Sequence, residues 1–304
     1  MQTISHPPGL YFFERGWLSS NNILLVDDEQ AILIDTGYVT HADQTLALVH
    51  SHLKGRSLDK VINTHLHSDH CGGNAQLQST HPGVQIWIPP GHFDAVMQWD
   101  EDVLTYKATG QLCPRFEPHH VLQPGSFFQS GHFTWHVHAA PGHDTHSVVL
   151  FEPQQGLLIS ADALWANGFG VVFPELEGQD AFAEVEATLN LIQSLDAKVV
   201  YPGHGSAFMD VTAALDRARR RLDQFVSHPE KHQAYGAKVL LKFKLMEFQS
   251  IPILDFLAWA EQTPYLQLLQ QRNELDFSSW VLSMVQQLIA SGAARIDDDV
   301  LSNA

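Results

Sequence analysis

The sequence predicts an α+β fold in which a strand-rich region precedes a helical one, and three observations predict it. Up to about residue 210, short apolar runs are separated by Gly-, Pro- and Asp-rich turns, the pattern of buried strands. From about Val211 the strands stop and apolar residues recur at helical spacing. Most of the early runs also deliver a residue that can ligate a metal: Asp35, the cluster after Asn63, His143, Asp162 and His204. Residues 1–210 are expected to form one domain and 211–304 a helical extension.

Asn22 to Val26 and Ala31 to Asp35 flank the polar turn Asp27-Asp28-Glu29-Gln30, which predicts a β-hairpin behind the aromatic-rich stretch Leu10 to Trp17. Thr40 to Leu53 reads as a helix, and Lys60 to Asn63 as a short strand entering the histidine cluster. Asp69 is expected to open a helix, with Gly72-Gly73 letting it pack closely. Val84 to Ile88 is a strand stopped by Pro89-Pro90. Residues 91–120 lack strong periodicity and read equally as a lid or as short helices shielding the core. In His132 to His138 histidines alternate with Phe133, Trp135 and Val137, so they are expected to face solvent. Strands follow at Val148 to Phe151, Leu157 to Ser160 and Lys198 to Tyr201, with a helix from Asp180 to Leu195 before the last. Helices are expected at Tyr235 to Gln249, Ile253 to Gln270 and Ser278 to Ala290, then a short wing-like strand from Ala294 to Leu301. The run Arg217, Arg219, Arg220, Arg221 reads as a solvated or salt-bridged helix face beside Asp216 and Asp223.

Of the 304 residues 44% are hydrophobic and 17% charged, the composition of an ordinary globular protein. Lys and Arg number 17 against 34 Asp and Glu, and the formal charge of −17 repels phosphate backbones and anionic lipids. Neither nucleic acid nor a membrane is therefore an expected partner; a small-molecule substrate is, and a homodimer is the base-rate assembly. The first ten residues show no basic segment before an apolar core, and no run approaches ~18 apolar residues. A cytoplasmic protein is expected. Two cysteines, Cys71 and Cys113, cannot build a disulfide framework, and Cys71 is expected to pack as a small buried residue.

Residues 64–74 read Thr-His-Leu-His-Ser-Asp-His-Cys-Gly-Gly-Asn, placing His65, His67, Asp69 and His70 within six residues. Imidazole nitrogen and carboxylate oxygen are the donors that zinc and other first-row divalent ions accept. Together with Pro-Gly-His143, Ser-Ala-Asp162 and Pro-Gly-His204-Gly, in that order, the set resembles the metallo-β-lactamase superfamily of hydrolases over about residues 10–210. The last third is only loosely similar to the helical or winged-helix-like extensions of some members. The resemblance implies an αββα sandwich with metals at one edge of two facing sheets. It puts His65, His67 and His143 on one metal, Asp69, His70 and His204 on a second, and Asp162 between them. Asp35, in Leu-Ile-Asp-Thr-Gly, matches an aspartate that supports ligand histidines by accepting an imidazole N–H.

Two divalent ions, zinc by default with iron or manganese as alternatives, would carry a bridging hydroxide, because coordination lowers the pKa of water from ~15.7 to ~7. The expected reaction is hydrolysis of an ester-like carbonyl, most simply a thioester as in hydroxyacylglutathione hydrolases, with Asp69 also handling a proton. The basic thiol-binding residues of those enzymes have no match here, which leaves glutathione unsupported. Lactone hydrolysis is the alternative within the same chemistry, and β-lactam hydrolysis is disfavoured by the missing export signal. Outside it stand an iron-dependent dioxygenase, disfavoured by the complete ligand set, and a nuclease, disfavoured by charge. A metal-binding signalling or interaction protein with little turnover is the remaining class. Trp165, Phe169 and Phe173, with Trp17 and Tyr106, are candidates for the wall of the substrate pocket.

Overall fold

A computed structural model describes residues 4–304, which divide into two compact units: residues 4–104 with 112–223, and residues 105–111 with 224–304.

The first unit is built on two sheets. Strands β1 (Leu10–Phe13), β2 (Asn22–Val26), β3 (Ala31–Ile34), β4 (Lys60–Ile62), β5 (Gln85–Ile88) and β6 (His120–Val121) lie in sequence order. The first three pair antiparallel, the predicted hairpin among them, and β3 to β6 run parallel. The second sheet has the order β11-β10-β9-β8-β7, from β7 (Phe127–Ser130), β8 (Phe133–Ala139), β9 (Val148–Glu152), β10 (Leu157–Ala161) and β11 (Val199–Pro202). Only its β10/β11 pair is parallel. Ile23, Leu25, Ile32, Ile34 and Ile62 of the first sheet form one buried cluster with Trp135, Val137, Leu150, Ile159 and Tyr201 of the second. The sheets thus pack face to face, and side chains of period two supply the filling.

Parallel neighbours need crossovers, and these carry the helices to the outer faces. Helix α1 (Ala42–Leu53) joins β3 to β4, and α2 (Ser68–Cys71) with α3 (Asn74–Thr80) joins β4 to β5. The stretch 91–120 holds two short helices, α4 (Phe93–Gln98) and α5 (Tyr106–Thr109), among irregular chain. On the second sheet α6 (Phe173–Leu176) and α7 (Phe182–Ser194) lie between β10 and β11. The result is the expected αββα sandwich.

The single helix expected from Asp69 is two, broken at Gly72-Gly73. A Cβ at Gly72 would stand 2.6 Å from the Val39 nitrogen, and one at Gly73 2.6 Å from the Thr36 oxygen, so only glycine permits this approach. Histidines 132, 136 and 138 lie exposed or half-buried on the solvent side of β8, as expected.

Helix α8 (Val211–Ser227) follows β11. Its arginines are not a merely solvated face: Arg217 and Arg221 donate to the carbonyls of Ala166 and Phe169, at 2.7 and 3.1 Å, and Arg219 binds the side chains of Asn190 and Gln193.

The second unit holds α5, α9 (Pro229–Phe248), β12 (Ser250–Pro252), α10 (Ile253–Glu261), α11 (Pro264–Gln270), α12 (Phe277–Ala290), β13 (Ala294–Asp297) and β14 (Val300–Asn303). The helix expected over 253–270 is broken at Thr263-Pro264, because proline cannot donate to the previous turn but fits the first position of a new one. For the same reason α9 starts at Pro229, six residues before the expected Tyr235. The wing is a hairpin, β13 with β14, completed by β12 into a three-stranded sheet. Among the described residues no helix is long and apolar enough to cross a membrane.

Candidate metal centre

Strand ends supply the site. Asp35 follows β3, residues 64–70 follow β4, His143 lies between β8 and β9, Asp162 follows β10, and His204 follows β11. Neighbouring strands of a twisted sheet end at one edge, and the seven candidate ligands therefore meet although 139 positions separate His65 from His204.

Three overlapping groups result, each with its ligand atoms within 4.8 Å of one another: His65, His67 and His143; His65, His70 and Asp162; Asp69, His70 and His204. In the first, His67 Nδ1 lies 2.8 Å and His65 Nε2 3.3 Å from His143 Nε2. Ligands ~2.05 Å from a tetrahedral ion are themselves about 3.3 Å apart, so this spacing fits one. In the third, His204 Nε2 stands 3.1 Å from Asp69 Oδ2. Asp162 faces both groups: one carboxylate oxygen is 3.4 Å from His70 Nε2, the other 3.5 Å from His143 Nε2 and 3.8 Å from His204 Nε2.

Hydrogen bonds from behind aim the rings. The Nδ1–H of His143 donates to the Val171 carbonyl at 2.5 Å, which leaves its Nε2 lone pair for the site. Asp35 accepts from His70 Nδ1 at 2.7 Å and from the Thr64 backbone nitrogen and hydroxyl at 2.8 and 2.7 Å. Asp35 itself lies in the left-handed region at φ 55°, and a carboxylate accepting an imidazole N–H orients that ring. His70 Nε2 is buried and makes no hydrogen bond. A buried nitrogen of that kind costs free energy unless an ion takes it up. At Gly203 a Cβ would strike the Asp162 carboxylate and lie 3.0 Å from His70 Cε1, so the residue before His204 has to be glycine.

Electrostatics favour a cation. Burial drives His65 well below the ordinary histidine range, with His70, His67 and His143 adding to the effect, and burial takes His143 down to about 4. Both rings are neutral donors at pH 7. Burial also lowers His67. Burial would lower His70 too, but Asp35, Asp162 and Asp69 outweigh it and hold the ring well above its usual value. Burial alone would raise Asp162; His204, His70 and His143 pull it well below the carboxylate range. Asp69 is lowered in the same manner by His70 and His204. The donor set thus gathers ionised carboxylates with the lowered imidazoles of His65, His67 and His143, while His70 carries a proton that an entering divalent ion would displace.

The aromatic candidates separate. Trp17, 56% exposed, stacks on His204 with ring centroids 5.3 Å apart and planes 4° from parallel, and Trp165 meets both edge-on. Phe173 lies 5.0 Å from His67. These three rim the cluster. Phe169 and Tyr106 do not: each is 1% exposed, and a side chain packed on every side offers no face to a substrate. Phe169 belongs to the core of the first unit and Tyr106 to the second unit.

Sequence reasoning missed several supports. Trp165 donates its indole N–H to Asp162 Oδ1 at 3.2 Å, a role hidden behind its aromatic character. Asn21 binds the His204 loop through the carbonyls of Pro202 and Gly205, at 2.9 and 2.7 Å; the polar run Ser19 to Asn22 ahead of a buried strand was the available signal. Cys71 and Cys113 meet with sulfurs 3.7 Å apart, for which the sequence holds no signal.

The chain is similar to known proteins in family and in fold. The sequence profile of the metallo-beta-lactamase superfamily matches residues 15–204. A Caenorhabditis elegans protein named beta-lactamase-like protein 2 homolog is 24% identical over 243 residues, covering 78% of this chain and 69% of its own. Human "Acyl-coenzyme A thioesterase MBLAC2" is 25% identical over 216 residues, covering 65% of this chain and 76% of its own. Among solved structures, a metallo-beta-lactamase family protein from Thermus thermophilus superposes with a TM-score of 0.58 at 19% identity, over 98% of this chain and 99% of that one.

Proposed function

The chain belongs to the metallo-beta-lactamase superfamily, and from that premise we propose that it is a dinuclear metal-dependent hydrolase acting on a small-molecule thioester. One observation carries the proposal: seven side chains from four strand ends turn their donor atoms into three overlapping groups, each spanning no more than 4.8 Å. His65, His67 and His143 would hold one divalent ion, Asp69, His70 and His204 a second, and Asp162 both. The all-nitrogen-and-oxygen donor set suits zinc, and also accepts iron or manganese. Bound there, the ions would supply Lewis acidity, polarising a carbonyl and acidifying a water from ~15.7 to ~7.

The protein's own groups do the rest. Asp35 fixes the His70 tautomer by accepting its Nδ1–H, so that Nε2 faces inward. The Val171 carbonyl does the same for His143. Asp69, whose side chain is 14% exposed while those of His70 and Asp162 are 0% and 6%, is the carboxylate reachable from outside and the candidate carrier of a proton to the leaving group. Trp17, Trp165 and Phe173 would orient an apolar acyl group beside the reacting carbonyl and exclude water from it. The human relative's name, a thioesterase, supports a thioester over a lactone.

A panel of thioester, lactone, β-lactam and phosphodiester substrates, run on zinc-, manganese- and iron-loaded protein, tests this reading. Thioester cleavage with two metals per chain is expected. One iron per chain with oxygen consumption, or cleavage of phosphodiesters alone, would contradict it.

A further inference from the structure

Cys71 and Cys113 are 42 residues apart in sequence, yet their sulfurs lie 3.7 Å apart with both side chains buried. We propose that they are an oxidisable pair whose disulfide staples the helix carrying Asp69 and His70 to the segment around Cys113, a modification site for peroxide. Its effect on metal retention rests on the metal-centre reading above; formation of the bond does not.

Closing 3.7 Å to the ~2.05 Å of a disulfide requires one sulfur to approach the other, and the structure indicates which. Helix α2 is held from several directions. The His70 carbonyl accepts from the Thr36 nitrogen at 2.7 Å and from Asn63 Nδ2 at 3.2 Å, the Gly73 nitrogen donates to Gly37 at 3.1 Å, and Gly72-Gly73 leave no room for displacement. Cys113 lies in residues 111–119, which form neither helix nor strand. The approach therefore falls to Cys113, and the ligands on α2 keep their places.

Cys113, 8% exposed against 0% for Cys71, is also the sulfur that a small oxidant reaches first. Its sulfur attacks one oxygen of hydrogen peroxide. An S–O bond forms, the O–O bond breaks, and the departing hydroxide takes the thiol proton and leaves as water. The Cys71 sulfur then displaces the hydroxyl from Cys113: the S–S bond forms, the S–O bond breaks, and a second water carries away the Cys71 proton. Two electrons pass from the sulfur pair to the peroxide. The product ties α2 to the 112–119 segment and closes the loop 71–113, which starts directly after His70 and constrains the unfolded chain.

The test uses the full-length, metal-loaded protein before and after hydrogen peroxide. Peptide mapping without reductant should yield a Cys71–Cys113 cross-linked peptide, with both thiols lost and both recovered on adding a dithiol. The thermal midpoint of the oxidised form should rise by at least about 3 °C, and a chelator should strip its metal at least threefold more slowly. Cys113→Ser should show the reduced behaviour throughout and no response to peroxide. Thiols that stay reduced, or that oxidise separately to sulfinic acids without the cross-linked peptide, would overturn the proposal. So would a cross-linked protein whose midpoint is unchanged or lower. If the reduced protein binds no metal, the metal-centre reading fails, while the peptide map and the melting shift still decide the cross-link.

Discussion

Asp35 shows how much of the site is made by groups that would touch no metal. Its carboxylate takes the Nδ1–H of His70 and two donors of Thr64, so it fixes one ring and the backbone leading to His65 together. Asp35→Ala is expected to weaken metal binding by ~10–100-fold, measured by chelator competition. Asp35→Asn should recover part of the loss, because an amide oxygen still accepts the N–H but brings no charge. Two aromatics near the site should respond in opposite ways. Trp17→Ala removes an exposed ring stacked on His204 and should raise KM for an apolar acyl thioester several-fold at unchanged metal content. Phe169→Ala empties a core position, 1% exposed. It should cost about 3–5 kcal/mol of stability, read by denaturant unfolding, and leave KM unchanged in the folded fraction. Composition alone does not separate these residues, since both follow polar loops and both are aromatic; packing on every side is a property of tertiary neighbours.

At the scale of elements, the strands that carry the site were legible because each reads as an apolar run ending in a polar tip. The cluster around His65 stood out by its residue types, and the short motifs at His143, Asp162 and His204 were legible through the order in which they resemble the superfamily's ligand set. What sequence could not supply was contact between distant segments. The Cys71 and Cys113 sulfurs meet across 42 residues, and Arg217 and Arg221 cap loop carbonyls about 50 positions away. Helix boundaries slipped where proline decides them, at Pro229 and Pro264. Close approach at strand ends makes a further prediction. Gly203→Ala drives a methyl group into the Asp162 carboxylate, and should lower stability by ~1–3 kcal/mol together with metal affinity, checked by melting and metal analysis. Helix α9 carries a pH-sensitive element of its own. Burial lowers His232 from its ordinary 6.5 to about 4. Between those values the unfolded chain binds the proton that the folded chain refuses, so stability rises with pH across the window and is lost as pH falls through it. The loss approaches ~3 kcal/mol by pH 4. Denaturant titrations from pH 7 to 4 should show a shallower decline in His232→Phe than in the unaltered protein.

For the whole molecule, the two facing sheets explain why one end of the first unit can be polar at all. Fifteen apolar residues from both sheets form the shared core, and that rigid frame holds buried charges that an isolated loop could not. The cluster after Asn63 supplies four of the seven candidate donors, but His143 adds to the lowering of His65, His204 to that of Asp69, and Asp162 to the raising of His70. The second unit, with its three-stranded sheet, follows ordinary helix and hairpin rules and supplies none of the seven donors. The proposed hydrolysis requires two ions acting together. Titrating metal-free protein with zinc while following thioester cleavage tests it most directly. Activity that rises to a plateau at two equivalents per chain and vanishes on chelation is the predicted result; a plateau at one equivalent, or cleavage indifferent to chelation, would contradict it.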